Sequence, residues 1–296
     1  MAKGREIKGR IRSVENTRKI TRTMEMVATS KLKRAQDRVV AARPYAIALR
    51  EVLASLYNPD LIERFPLLRQ PANARRAGVL LLTSNRGLAG AFNANLIRES
   101  RIVIGRLEGD GTEIELHIVG RKGLGYYRYL GRSVASSRTD LGDRPTPDDA
   151  AKLVGPMMDS FAAGTLDAVY VVSARYNSAL STPPVAERVL PVEIPGSGDS
   201  QQPKTDHRWR KDYILAPSAE AILGALIPAY VRNTVYRALV ETAAAEQSAR
   251  RTAMKNATDN ASDILTVLRR TYNRARQAQI TQEIAEIVGG AAGLQT

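Results

Sequence analysis

Apolar residues recur from the start of the chain in alternating steps of four and three. The series passes through Ile7, Ile11, Val14, Arg18, Thr21, Glu25, Ala28, Leu32, Ala35, Val39, Ala42, Ala46, Leu49, Leu53 and Leu56. This is the heptad rhythm of a helix that keeps one seam turned toward a partner, and it predicts a single helix over 3–57. Arg18, Thr21 and Glu25 interrupt the seam. Beside them the apolar stripe steps to Ile20, Met24 and Val27, which predicts a local change of supercoil or of partner. Pro44 falls inside the pattern, where a missing N–H predicts a kink or local strain. At 1.5 Å per residue the helix would run about 80 Å, too long for a compact domain.

The last third repeats the theme. Pro217 suits a first helical turn. Apolar positions follow at Ile222, Leu223, Leu226, Ile227, Tyr230 and Val231, and Pro228 predicts a break or kink. A second seam reads Ala253, Ala257, Ala261, Ile264, Leu268, Thr271, Ala275, Ala278, Gln282 and Ala285. Its small side chains predict close approach by a partner backbone, and the run Gly289–Gly293 predicts the helix end. A straight helix over 217–288 would span about 108 Å. Two such helices, one at each end of a chain, can pair as an antiparallel coiled coil with the middle inserted between them. Pairing of each with a second copy of the chain satisfies the same pattern.

Between them the period changes. Gly78–Thr83, Leu166–Ala174 and Val185–Ile194 are short apolar runs suited to buried strands, and Glu113–Val119 alternates as a strand does. Helical patterns cover Ala91 to about Leu107, Arg121–Leu130 and Pro147–Ala163. Strands alternating with helices predict an α/β domain over 76–212 with a mostly parallel, Rossmann-like sheet. The expected division is therefore a coiled-coil helix at 1–58, the α/β domain at 76–212, and a second coiled-coil helix at 213–296. Residues 195–212 are polar and rich in turn formers, which predicts an exposed loop or linker.

Charge sharpens the picture of the ends. The chain of 296 residues carries a formal net charge of +14. Residues 1–38 hold +8 and residues 232–276 hold +5, whereas the long stretch 39–231 holds only +3. A basic surface so placed calls for an acidic partner: nucleic acid, anionic lipid or an acidic protein face. Nucleic acid is the chief rival reading, since basic helices can follow a phosphate backbone. The same helices carry almost no aromatic residues for stacking on bases.

The candidate chemistry is sparse. With no cysteine and two histidines, His117 and His207, disulfides, thiolate sites and multi-histidine metal sites are excluded. No apolar run approaches the length of a membrane span, and the start lacks the apolar core of a signal peptide, so a soluble intracellular chain is expected. Gly120, Gly123 and Gly125 follow a strand but in reversed dinucleotide-motif order. Gly87 and Gly90 also follow a strand, where a tight turn is the expectation and an anion cradle the alternative. Gly198 to Thr205 imitates a phosphate loop, but Pro203 removes an N–H that the cradle needs. Asp148 and Asp149 after Thr146-Pro147 predict a helix cap rather than an acid–base pair. Glu283 and Glu286 are expected to face solvent or a partner, and His117 to pack within a strand.

Longer motifs are more specific. The run Ile11 to Thr21, continuing to Met24–Ala28, closely resembles the start of the gamma subunit of bacterial-type F-type ATP synthases. Ala249–Ala261 and Tyr272–Ala291 look like the same family's C-terminal signatures, and Thr83–Asn93 resembles its strand-to-helix turn. The motifs stand in family order and span essentially the whole chain.

The resemblance implies an antiparallel coiled coil of the two ends with an inserted Rossmann-like α/β domain. It implies the central rotor stalk of a proton-translocating synthase, without catalysis or cofactor of its own. The implied partners are the alpha and beta subunits, the epsilon subunit and the membrane c ring, with no nucleic acid. The implied place is peripheral, on the cytoplasmic side of the inner (plasma) cell membrane. By match to family motifs, Lys19, Arg22, Met24 and Arg250 lie near beta contacts. Arg276, Gln277 and Thr281 lie where the alpha/beta ring grips the stalk, and Ile284, Ile287, Val288 and Leu294 form an apolar tip. Tyr213 matches the foot on the c ring. The chain departs from the family at Ala89 and Ala91, where Cys and Gly are frequent, and at Ala216, where an acidic residue is frequent before the proline. Gly87 and Gly90 remain, so the turn is expected to survive.

Overall fold

A computed structural model describes residues 2–56, 64–71, 74–192 and 219–293. Two long helices bracket the chain, α1 (Ala2–Leu56) and α5 (Ala219–Gly293). Between them lie β1 (Arg76–Leu82), α2 (Phe92–Gly109), β2 (Glu113–Val119), α3 (Arg121–Tyr129), β3 (Ser136–Arg138), α4 (Pro147–Ala162), β4 (Ala168–Ala174) and β5 (Pro184–Leu190). The contacts divide the chain into two compact units, one of Met1–Thr29 with Arg250–Thr296 and one of Ser30–Ala249.

In the larger unit the strands are ordered β3-β2-β1-β4-β5. The first four run parallel and β5 runs antiparallel at the edge beside β4. The period of two along β1 sorts its side chains to opposite faces. Ala77, Val79 and Leu81 meet Phe92, Leu96, Val103 and Ile104 of α2 and Leu124 and Tyr127 of α3. Leu80 and Leu82 meet Val154, Met157 and Phe161 of α4, Leu49 and Leu53 of α1, and Leu223, Ile227, Val231 and Leu239 of α5. The long helices thus help to cover one sheet face, and most of these apolar groups are withdrawn from water. The expected α/β fold with a mostly parallel sheet is present. The three-residue β3 and the reversed direction of β5 were not foreseen, because so short a strand has no period and strand direction is set by partners.

In the smaller unit the start of α1 runs antiparallel to the C-terminal part of α5. Thr21 and Thr258 hydroxyls meet at 2.8 Å, and Arg269 donates to Glu15 at 2.6 Å. The α1 seam holds through its polar positions, with Thr21 and Ala28 buried and Arg18 and Glu25 half-buried. The expected step of the stripe is corrected: Ile20 and Val27 are exposed and Met24 is half-buried. A hydroxyl pair can stay in a seam when each proton is used, and Thr21 donates onward to the Arg18 carbonyl at 3.1 Å.

The α5 seam is also corrected by one position. Ala261, Leu268 and Ala275 face inward as expected, but Thr258, Leu265, Tyr272 and Gln279 join them, while Ile264, Thr271 and Ala278 are exposed. Both sets repeat every seven residues. The larger Leu265 and Tyr272 gain more from burial than Thr271 and Ala278 would. Neither Pro44 nor Pro228 breaks its helix, and α5 extends through the glycine run to Gly293, the last described residue.

Candidate functional site

Two places merit attention: the carboxyl ends of the parallel strands, where α/β folds bind ligands, and the surface of the helix pair.

At the strand ends, the glycines serve the fold. Gly120 opens α3 with φ 94°, and a Cβ there would lie 2.2 Å from the Thr83 carbonyl oxygen. The first N–H groups of α3, which an anion would need, are already used. Arg121 N–H donates to Asn85 Oδ1 at 3.1 Å, Lys122 N–H to the Ser84 carbonyl at 3.1 Å, and Gly123 N–H to Thr83 Oγ1 at 3.0 Å. The turn before α2 is likewise closed on itself. Ser84 N–H donates to Asn93 Oδ1 at 3.0 Å, and Asn93 Nδ2 donates to Ser84 Oγ at 2.9 Å. Leu88 and Gly90 take the positive φ values of a tight turn, 63° and 55°. Both glycine motifs are therefore structural turns, as the first expectation had it.

Helix α5 lies over the crevice where such a sheet would take a nucleotide. Thr242 Oγ1 accepts the Ala174 N–H at 3.2 Å, and Glu241 accepts the Tyr176 N–H at 3.0 Å. What is left is a cleft of about 340 Å³, bounded by Thr83, Arg86, Arg121 and Asp140 and closed by Leu239, Thr242 and Glu246.

The other candidates resolve plainly. Thr146 and Asp149 form a capping box on α4. Thr146 holds the Asp149 carboxyl below its ordinary range through hydrogen bonds from its side chain and main chain. His117 packs on β2 with Nδ1 2.7 Å from Ser136 Oγ. Its Nε2 lies 3.2 Å from Glu115 without the geometry of a hydrogen bond. Burial lowers its pKa against the opposing pull of Glu115, so the ring is neutral near pH 7. Glu283 and Glu286 are exposed and each accepts from a glutamine one turn earlier at 2.9 Å. Among the described residues, no group of His, Cys, Asp or Glu is placed to hold a metal ion, and no helix is long and apolar enough to cross a membrane.

The helix pair presents a different surface. Lys19 and Arg22 are exposed on α1 and Met24 is half-buried. Arg276, Gln277 and Thr281 are exposed on α5. Arg250 is only 8% exposed, so little of it is left for a partner. From Thr281 to Val288 every side chain is exposed, including Ile284 at 57%, Ile287 at 71% and Val288 at 63%. Leu294 and Tyr213 lie outside the described residues, as do Ala216, His207 and the loop 195–212. Sequence reading passed over Asp143, which receives side chains from both long helices. No local signal marks it, because its partners are more than a hundred residues away.

Comparison with known proteins accords with this architecture. The family model described as ATP synthase matches residues 3–294. The ATP synthase gamma chain of Gemmatimonas aurantiaca is 65% identical over 295 residues, covering 100% of both chains. That of Acidithiobacillus ferrooxidans is 44% identical over 294 residues, covering 99% of this chain and 100% of the relative. In fold, the chain is similar to one in the Euglena gracilis mitochondrial ATP synthase assembly of OSCP, F1 and c-ring. The TM-score is 0.67 at 19% identity, with 99% of this chain and 95% of the other covered. The chain belongs to the ATP synthase gamma chain family.

Proposed function

We propose that this chain is the central rotor stalk of a proton-translocating F-type ATP synthase. It transmits torque between a membrane c ring and a catalytic ring of alpha and beta subunits, and so couples proton flow to ATP synthesis. The observation that carries the reading is the stretch Thr281–Val288 of α5, a helix with every side chain exposed and three of them large and apolar. A single helix this exposed gains no packing energy from its own chain. It is built to be enclosed by something else. Family membership supports the ring of alpha and beta subunits as that enclosure.

The contacts follow from exposure and charge. Lys19 and Arg22 meet acidic segments of the beta subunits, where exposed charges guide a moving surface without locking it. Met24 adds an apolar contact beside them. Arg276, Gln277 and Thr281 meet the ring further along α5, and Ile284, Ile287, Val288 and Leu294 turn in its apolar collar. Arg250, being buried, serves the fold of its own chain. The inserted domain 76–212 stands with the epsilon subunit at the c ring, with Tyr213 toward the ring, and the helices 1–58 and 213–296 form the stalk. The chain itself is non-catalytic and peripheral, on the cytoplasmic side of the plasma membrane.

The reading is tested by assembling the chain with its own alpha and beta subunits. An ATP-hydrolysing complex on a native gel is the expected result, and failure to form one sinks the proposal. Met24→Lys is expected to leave assembly intact while lowering protons pumped per ATP hydrolysed. Unchanged pumping would remove Met24 from the contact.

A further inference from the structure

Two loops of the larger unit reach past the sheet and bond to both long helices. The loop after β3 does so through Asp143. Its Oδ2 receives the Lys31 ammonium of α1 at 2.5 Å, and its Oδ1 receives the Gln247 amide of α5 at 3.3 Å. Its main-chain carbonyl receives the Arg38 guanidinium of α1 at 3.1 Å. The loop is itself tied to the sheet, since the Leu141 carbonyl accepts the Asn85 amide at 2.8 Å. The hairpin between β4 and β5 makes the second set of bonds. Gln36 of α1 donates to the Tyr176 hydroxyl, Tyr176 N–H donates to Glu241 of α5, and Ser248 of α5 donates to the Ala179 carbonyl at 2.5 Å.

The placement around α1 is two-sided. With about 100° between successive residues, Lys31 and Arg38 lie about 80° to one side of the seam formed by Leu32, Ala35 and Val39, and Gln36 about 70° to the other. Apolar packing of that seam is non-directional and leaves a helix free to shear slightly or turn on its axis. Hydrogen bonds on both flanks, charge-assisted on the side of Lys31 and Arg38 and neutral at Gln36, oppose that rotation. Gln247 reinforces the point. It is 2% exposed and its Oε1 has no hydrogen-bond partner, a costly arrangement for a residue that merely fills space.

We propose that Asp143 is a positioning residue for torque: it locks α1 and α5 to the sheet so that rotation passes between sheet and helices without slip. The proposal rests on the rotor reading. Its test uses the assembled complex with the alpha/beta ring fixed to a surface. The chain contains no cysteine, so Arg106→Cys on the exposed face of α2 gives one labelling point for a bead, attached before assembly. ATP then drives rotation, and the angular variance of the bead during pauses reports torsional stiffness.

Asp143→Ala is expected to broaden that variance about two-fold, and Asp143→Asn, which loses the charge but keeps one acceptor oxygen, by less. Exchanging the pair, Lys31→Asp with Asp143→Lys, is expected to restore the wild-type variance, because the Gln247 amide can turn its Oε1 to the new ammonium. Unchanged variance in Asp143→Ala overturns the proposal. If that variant does not assemble, the exchanged pair decides, and an exchanged pair as loose as Asp143→Asn overturns it. A wild-type bead that never turns with ATP would instead sink the rotor reading itself.

Discussion

The two compact units are built from the same pair of helices by different means. In Ser30–Ala249 the helices bury large side chains against a sheet, and Leu53, Leu80, Phe161 and Leu223 are all but removed from water. In the unit formed by the chain ends, the inward residues are few and often small, such as Ala28, Ala261 and the Thr21–Thr258 pair. Small seam residues let helices approach closely, but they bury little apolar area. Free energy of folding therefore concentrates in the larger unit, while the smaller one spends its surface on partners. The exposed Ile284 and Ile287 would be defects in a domain that had to stand alone.

The contrast can be broken most directly at its two extremes. Phe161→Ala, in a fully buried site with the Arg69 guanidinium 5.2 Å from the ring centre, is expected to cost about 3–5 kcal/mol in denaturant unfolding. Ile287→Ala is expected to stay within about 0.5 kcal/mol of wild type, its loss appearing instead in the coupling of the assembled complex. Comparable losses at the two sites would erase the distinction. Gly120→Ala comes next, at about 2–4 kcal/mol, because φ of 94° disfavours a side chain and the new Cβ would press on the Thr83 carbonyl. A neutral result there would mean that the turn between β2 and α3 can relax.

Within the helix pair, Thr21→Val alone is expected to cost about 1–2 kcal/mol, since it leaves the Thr258 hydroxyl without its partner across the seam. Thr21→Val with Thr258→Val should be nearly neutral, and a double-variant loss equal to the sum of the two single losses would show that the hydroxyls act independently. The α4 cap comes last. Thr146→Ala should cost about 1 kcal/mol near pH 7. Because the folded pKa of Asp149 is lowered, the cap's contribution is present above about pH 4 and fades as pH falls through the folded value. The gap between Thr146→Ala and wild type should therefore narrow in acid unfolding, and a gap independent of pH would detach Asp149 from the cap.

Legibility in the sequence followed the reach of each interaction. The helices and four of the strands could be read because burial imposes a period on neighbouring residues, and the Thr146–Asp149 cap because its partners are three residues apart. The glycine turns were readable for a similar reason. The α5 seam was misread by one position because Ile264 and Leu265 are both apolar. The choice between them is made by the facing helix and by the Thr21–Thr258 contact. The stripe at Ile20, Met24 and Val27 was misread as a shifted seam because apolar residues meant for a second surface look the same as those meant for a core.

By itself, then, the sequence determined that two long heptad helices flank a parallel α/β domain, that the excess positive charge sits on those helices, and that the family motifs stand in order. These follow from periodicity, composition and spacing, which are properties of neighbours along the chain. Only the tertiary structure decided that α5 covers the crevice of the sheet, that the polar seam positions remain inside, and that Asp143 ties both helices to the sheet. Each of these joins residues far apart in sequence. Distance along the chain carries no information about which donor will meet which acceptor once the sheet has folded and its loops are fixed in place.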